Sequence, residues 1–577
     1  MPGFFLEINS SHGEENIVKK DNSITNQIRS EKYYVRRTTV NKFMNDKVFF
    51  ENESYLIIIE GIILNKKKLL KNNAEELSWA DYIIVLYEKF GDEFFGNFSG
   101  SFSGVFYDKK KNKWLIFVDQ IGSRQLYYTV NRNQLVISSE IKWITNYLRQ
   151  TNQSFSIDSD GASLLLTYGY LLEDITLIKE IKKLNAGLYL LISEGRVQKK
   201  QYFLLDNTSD IETTEADFIR QIDELFLDAV QAEFNKNSEY NYDNYLTLSG
   251  GLDSRMTLFA AKKLGYKDII NITFAQSGSL DTIIAQQISD DLKCEWIFKS
   301  LDNGLFLFNI DDITRINGGI ALNYGHLHQY STYRLLDKTK IGVLHTGQLG
   351  DVVCGTFYNK PKDNDTFEIG DGAYSKKNLH LIRELKLKYN YKNQEIFNFY
   401  NRGFTGANSG LIVAQEFSEP FSPFFEVEFL KKALSIPVNL KFDHKFYFKW
   451  ILKMHPNAAK YKWEKTNNLI CARRFSVFDK SFYPNNIPAI IKRKLIRSQR
   501  ENALKSKYKS MNPLDFYYQT NHLLEKCWTE YFYSNINYLP EELKGVAENM
   551  YKSGCALEKN MVISLVSALK LYFCEYV

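Results

Sequence analysis

The sequence predicts an α/β protein in two parts. Residues 1–205 are rich in short strands, and residues 206–577 build on a parallel sheet that gives way to a mostly helical C-terminal region beyond about residue 380. Three observations carry this. The segments Tyr55–Ile59, Ser103–Tyr107, Trp114–Val118 and Leu135–Ser138 have the length and the β-branched or aromatic content of buried strands. From about residue 212 helical and strand patterns alternate, as a parallel sheet with helical crossovers requires. The loop Ser249-Gly250-Gly251-Leu252-Asp253-Ser254 joins a strand to a helix, where such sheets bind ligands.

Taken in order, Asp108–Lys113 reads as a charged hairpin turn between two front strands. The polar run Asp206-Asn207-Thr208-Ser209-Asp210 marks the boundary near 205–212. Then follow helix 214–235, strand 245–248, helix 254–264, strand 269–274, helix 281–292, strand 295–298 and strand 341–345.

Composition excludes several function classes. The apolar share of 44% and charged share of 24% are ordinary for a globular protein, and the net charge of +5 is small for 577 residues. Lys and Glu are interspersed, so nucleic acid is not expected; Lys66-Lys67-Lys68 and Lys109-Lys110-Lys111 read as solvated turns. An aromatic share of 15% with only ten prolines predicts tight aromatic cores and little linker. The cysteines Cys294, Cys354, Cys471, Cys527, Cys555 and Cys574 show neither a Cys-x-x-Cys pair nor zinc-like spacing, as expected of reduced cytosolic thiols. The acid at Glu7 breaks a signal-like N-terminus, and Glu60 interrupts the best apolar run, so a cytoplasmic protein without a membrane span is expected.

The loop at 249–254 carries the chemistry. Adjacent glycines let the backbone turn and approach a ligand. The following helix aims unpaired N–H groups and a positive dipole end at the same point. Ser249 and Ser254 add hydroxyls, and Asp253 adds a carboxylate suited to Mg²⁺ beside phosphate oxygens. The common nucleotide loop's lysine is absent. A glycine-rich turn capped by Ser249 or Asp253 would account for the loop alone.

Ser-Gly-Gly-x-Asp-Ser resembles the PP-loop signature of ATP pyrophosphatases, and here most resembles the asparagine synthetase (glutamine-hydrolysing) family. The resemblance implies that ATP is split between its α- and β-phosphates. It also implies a nucleotide site at Leu248, Ser249, Gly250, Gly251, Asp253, Ser254, Phe274, Asp281 and Gly347. Residues 341–357 resemble the family's second phosphate-side motif, so Asp351 would share Mg²⁺ with Asp253. Gln348 stands where asparagine synthetases carry Glu and β-lactam-forming relatives Tyr; it cannot act as a base but can orient a substrate. Val352 replaces an acid. Glu416 matches the leading acid of a later motif, whose Pro-Phe turn is kept in Glu419-Pro420-Phe421, and stands as a base or orienting carboxylate. Lys465, with Lys462 second, matches the lysine that stabilises the transition state. Asp281 is equally explained as a helix N-terminal acid. His326 and His328 read as lining an acyl-substrate pocket rather than binding metal.

The front part resembles a class II glutamine amidotransferase domain, an αββα sandwich, through Ser99–Tyr128, Ser138-Ser139-Glu140-Ile141-Lys142 and Leu177–Leu190. Its chemistry is missing. Position 2 is Pro where the family has its nucleophilic cysteine, and the first cysteine of the chain is Cys294. Glu60-Gly61 replaces the Asn-Gly of the oxyanion hole, and Ser99 replaces the acid that holds glutamine.

The expectation is an asparagine-synthase-like, AMP-forming amide ligase using ATP and Mg²⁺ without glutamine hydrolysis. Its partners would be ATP and a carboxylate-bearing small molecule, peptide or sugar acid, with a homodimer left open. A lasso-peptide or β-lactam-type cyclase, an asparagine synthetase fed by free ammonia, and a non-catalytic nucleotide-binding scaffold are the alternatives.

Overall fold

The computed structural model describes residues 2–9, 23–70, 77–131, 134–358, 368–477, 480–484, 507–508 and 510–574. Twelve strands form the front: β1 Gly3–Ile8, β2 Ser23–Arg29, β3 Tyr33–Val40, β4 Val48–Glu51, β5 Tyr55–Ile63, β6 Gly100–Asp108, β7 Lys113–Val118, β8 Leu126–Asn131, β9 Gln134–Ser138, β10 Lys182–Leu184, β11 Leu188–Ser193 and β12 Arg196–Gln201. They pair antiparallel into two six-stranded sheets, ordered β10-β8-β9-β1-β3-β2 and β12-β11-β7-β6-β5-β4.

Period-two patterning explains the layering. Phe4, Leu6 and Ile8 of β1 meet Leu56, Ile58, Val105 and Ile116 in a core between the sheets. Their neighbours turn the other way. Phe5 packs on helix Ile141–Gln150, while Ile57 and Ile59 of β5 pack on helix Trp79–Phe90. Because both faces of each sheet are covered, these strands read as unbroken apolar runs. The result is the helix–sheet–sheet–helix sandwich expected.

Lys66-Lys67-Lys68, read as a solvated turn, instead begins the short helix Lys66–Leu70. Lys66 is buried, donating to the Asn45 carbonyl with its ammonium 5.2 Å from the Trp79 ring centre. A long stem can bury its methylenes while its head finds a carbonyl, which sequence spacing does not reveal.

The second sheet system comprises β13 Asp243–Thr247, β14 Ile269–Ala275, β15 Glu295–Ser300, β16 Ile341–His345 and β17 Glu419–Phe421. All pairs are parallel, in the order β15-β14-β13-β16-β17. The chain steps outward from β13 to β15, then returns on β13's other side, so the order reverses beside β13, where α/β sheets open a crevice. Helices cover both faces. Phe226, Val230 and Phe234 of helix Glu215–Glu239 pack with Leu246 and Leu248, and Ile272, Ile341 and Leu344 share a core with the buried C-terminal helix Ala556–Phe573. No helix among the described residues is long and apolar enough to cross a membrane.

Glu419-Pro420-Phe421, expected as a turn, is the edge strand β17. An edge position tolerates proline because one side of the strand needs no ladder donor. This strand carries Glu419 back to the front sandwich. Its carboxylate pairs with Arg124 and lies 3.6 Å from Lys47 Nζ, which is also 3.1 Å from Glu60 Oε1. Thr39 Oγ1 donates to Glu60 at 2.6 Å. Gly61, at φ +115°, presses the backbone against this cluster: a Cβ there would stand 2.0 Å from the Ser101 carbonyl oxygen and 2.7 Å from Arg124 Nε. The Lys47, Glu60 and Glu419 side chains are wholly buried.

Removing one partner leaves an uncompensated buried charge. Glu419→Ala is therefore expected to lose about 3–5 kcal/mol, read as a fall in the urea midpoint, with Glu419→Gln losing less. An unchanged midpoint for the alanine variant would show that the cluster does not hold the two parts together.

Candidate functional site

The carboxyl ends of β13, β14 and β16 open into a cleft of about 310 Å³. Its wall includes Leu248, Ser249, Gly251, Asp253, Ser254, Phe274, Asp281, Gly347, Gln348, Asp351 and Lys465. Gly250 stands just behind. Residues drawn from five separate stretches of chain thus meet in one place. Glu416 does not: it is half-buried outside the cleft wall, where its charge acts on Glu140 and Tyr330.

After β13 the chain turns through Ser249 and the two glycines into helix Leu252–Lys263, with Gly251 at its N-cap. No side chain caps this helix. Its first amides therefore face the cleft mouth, and the Asp253 cap reading falls away. The loop braces itself: Ser249 N–H donates to Ser254 Oγ (3.1 Å), Gly251 N–H to Ser249 Oγ (3.1 Å) and Gly250 N–H to Asp281 Oδ1 (3.1 Å). The next helix, Leu280–Asp291, is capped by Ser279, which leaves the Asp281 carboxylate to reach across to the loop. Burial pushes the Asp281 carboxyl up, and the Gly250 hydrogen bond offsets part of this.

The second loop, after β16, meets the first backbone to backbone. A Cβ on Gly347 would lie 2.2 Å from the Ser254 nitrogen and 2.3 Å from the Asp253 carbonyl carbon, so only glycine fits. This contact brings Asp351 to Asp253. Burial, then the Asp351 charge, drives the Asp253 carboxyl well above the usual range, although Tyr447 Oη donates to it at 2.9 Å. Asp351 is also pushed up by burial, but Lys465 Nζ, 2.6 Å from its Oδ2, holds it below its ordinary value. Burial works against the Lys465 ammonium; Asp351, Asp253 and Glu464 outweigh it and keep the charge. Gln348 Nε2 donates to the Ala407 carbonyl (2.7 Å), which fixes its amide on the cleft wall.

Two residues that motif reading passed over organise this arrangement. Arg255, wholly buried, donates to the carbonyls of Gly250 (2.9 Å), Ala458 (3.2 Å), Tyr461 (3.1 Å) and Lys462 (2.7 Å). It ties the segment that delivers Lys465 to the glycine loop, using the guanidinium's fixed fork. A cation directly after the motif, at the head of the largely apolar run Met256–Ala261, was its sequence signal. Glu464 lies over the glycines, with its Cβ 3.0 Å from where a Gly250 side chain would begin. Burial, then Asp281, pushes its carboxyl up to about 7, and among the described residues its Oε2 has no hydrogen-bond partner. That places its proton exchange near neutral pH.

The histidines separate. His328 lines the cleft beside Phe274, with 5.0 Å between ring centres, and burial lowers it to about 4, so it is a neutral imidazole. His326 is turned away, held between the carbonyls of Leu322 (2.8 Å) and Ser409 (3.0 Å). Lys462 is exposed outside the cleft wall.

Two family models match the chain: one described as a glutamine amidotransferase domain over residues 39–203, the other as asparagine synthase over residues 221–403. Asparagine synthetase (glutamine-hydrolyzing) 2 of Bacillus subtilis is 27% identical over 371 residues, 58% of this chain and 47% of that protein. A putative asparagine synthetase (glutamine-hydrolyzing) 2 of Methanocaldococcus jannaschii is 26% identical over 219 residues, 36% of this chain and 41% of that protein. Amidase chry2 of Gibberella zeae is 24% identical over 221 residues, 34% of this chain and 29% of that protein. The alignments thus span less than half the length of each of these relatives.

The Glu464 carboxyl makes a pH prediction. Raised from 4.5 to about 7 on folding, it favours the folded state below the unfolded value and withdraws that support as pH climbs to about 7. Glu464→Gln cannot ionise, so its stability relative to wild type should grow across that window by up to about 3 kcal/mol. Urea midpoints measured at intervals of pH test this, and a difference that stays flat would contradict it.

Proposed function

The chain is a member of the asparagine synthetase family, and on that premise we propose that it adenylates a substrate carboxylate with ATP and passes the acyl group to an amine, without hydrolysing glutamine. The observation that carries the reading is the meeting of Asp253, Asp351 and Lys465 in one cleft between two glycine loops. The division at residues 205 and 206 is part of the proposal, with the front domain structural and the remainder catalytic.

The cleft residues fit Mg²⁺. Asp253 and Asp351 are hard oxygen donors whose mutual repulsion a cation would relieve. Among the described residues no group of three His, Cys, Asp or Glu side chains assembles, so phosphate oxygens and water would complete the shell. Bound there, the ion supplies neutralisation of the triphosphate charge.

The chain's own residues account for the rest. The free amides after Gly251, with Ser249 and Ser254, receive phosphate oxygens. Phe274 and the neutral His328 offer an uncharged aromatic wall for a base. A substrate carboxylate oxygen attacks the α-phosphorus and the bond to the β-phosphate oxygen breaks, releasing pyrophosphate. Lys465 stabilises the charge that builds on the α-phosphate and again on the acyl oxygen when an amine displaces AMP. Glu464 is the group suited to take the amine's proton.

The front domain supports glutamine independence. Glu60, in place of an oxyanion-hole residue, is a buried ion-paired carboxylate, and such a charge repels an oxyanion. That favours a substrate amine over ammonia released within the protein.

Pyrophosphate and AMP release, measured with panels of carboxylic acids and amines, tests the function. Equal yields of both are expected, with no gain from glutamine. Lys465→Ala should lose about 100- to 1,000-fold in kcat, and Asp253→Asn or Asp351→Asn should weaken the Mg²⁺ dependence. Arg255→Met should lower kcat about 100-fold by displacing Lys465 while leaving urea stability of the front domain unchanged. Glutamine-dependent turnover, or ADP as product, would overturn the reading.

A further inference from the structure

Away from the cleft, a second cavity of about 550 Å³ opens between the front sandwich and the helices that follow residue 389. Lys183 of β10 forms part of its wall and is only 6% exposed. Its Nζ donates to Thr405 Oγ1 at 2.8 Å, and among the described residues no carboxylate pairs with it. The acids nearby are engaged elsewhere. Glu173 accepts from the Lys388 (2.8 Å) and Tyr389 (3.1 Å) amides, and Asp206 pairs with Lys392 (2.6 Å) at the exposed rim. Burial alone lowers the Lys183 ammonium to about 8, so most of it is charged at neutral pH. An ammonium with three donors, one protein acceptor and no counter-ion is costly to bury unless an anion completes it.

The rest of the wall describes that anion. Tyr389, Tyr391, Tyr400 and Phe404 line the same cavity, with Tyr400 and Phe404 packed edge to face 5.7 Å apart. Such a wall accepts a flat ring, and the volume suits a small molecule rather than a peptide.

We propose that this cavity binds a small aromatic carboxylate, its charge on Lys183 Nζ and its ring among the tyrosines and Phe404. Because Lys183 and Thr405 belong to the two halves of the chain, the ligand bridges them and reports on their docking.

Benzoate and 4-hydroxybenzoate serve as probes, with benzamide as the uncharged isostere. Titration calorimetry on the full chain should show saturable binding of at least one acid and none of benzamide. Lys183→Met, which keeps the apolar stem, should weaken binding by about 30-fold or more. Should that variant fold poorly, protection of Lys183 from reductive methylation by the same acid, read by mass spectrometry on the wild-type protein, gives the result directly. Failure of both acids to bind, equal binding of benzamide, or unprotected Lys183 at saturating acid would overturn the proposal.

Discussion

The site depends on one steric constraint: the two glycine loops touch main chain to main chain. Gly347 leaves no room for a side chain against the Asp253–Ser254 peptide, so the strand ends carrying the loops cannot separate without losing that contact. Every charged feature follows from it. Asp253 feels Asp351 because of it, Lys465 finds Asp351 beside Asp253, and Arg255 then fastens the lysine's segment onto the first loop from behind. The charges are close because the backbone is close, and burial amplifies what each feels from the other.

The front sandwich shows the opposite economy. Its layers are intact, with two cores of alternating side chains on either side of each sheet. At one edge of its interior, Lys47, Glu60, Arg124 and Glu419 fill the ground with mutual pairing. Glu60 lies on front strand β5 and Glu419 on β17 of the second part, with Lys47 and Arg124 just ahead of β4 and β8, so the cluster works as a joint between the two.

Much of this was legible from residues alone, and the exceptions have physical causes. Strand and helix periods located β5, β6, β7, β9, β13, β14, β15 and β16, and a glycine pair between strand and helix located the cleft. Edge strand β17 escaped because its proline argues for a turn until a neighbouring strand is known. Lys66 and Lys183 escaped because burial of a lysine depends on what packs over it, which neither charge pattern nor spacing carries. Glu416 matched a motif yet stands outside the cleft wall, whereas Glu464 matched none and leans over the glycines: local resemblance finds loops more surely than it finds the side chains that approach them from afar. Arg255 shows the same limit, since its four acceptors are carbonyls, and a carbonyl leaves no trace in a sequence.

The pairing of Lys465 with Asp351 has a consequence for what the cleft admits. A cleft holding two converging carboxylates would otherwise draw in whatever cation the surroundings offered. By lending its ammonium to one of them, the lysine offsets part of the cleft's negative charge. On the proposed function, the lysine would leave that post for an arrival that brings positive charge of its own together with an anion for the lysine to greet. Selectivity for a metal-loaded nucleotide over either component alone would then begin before any recognition of the base.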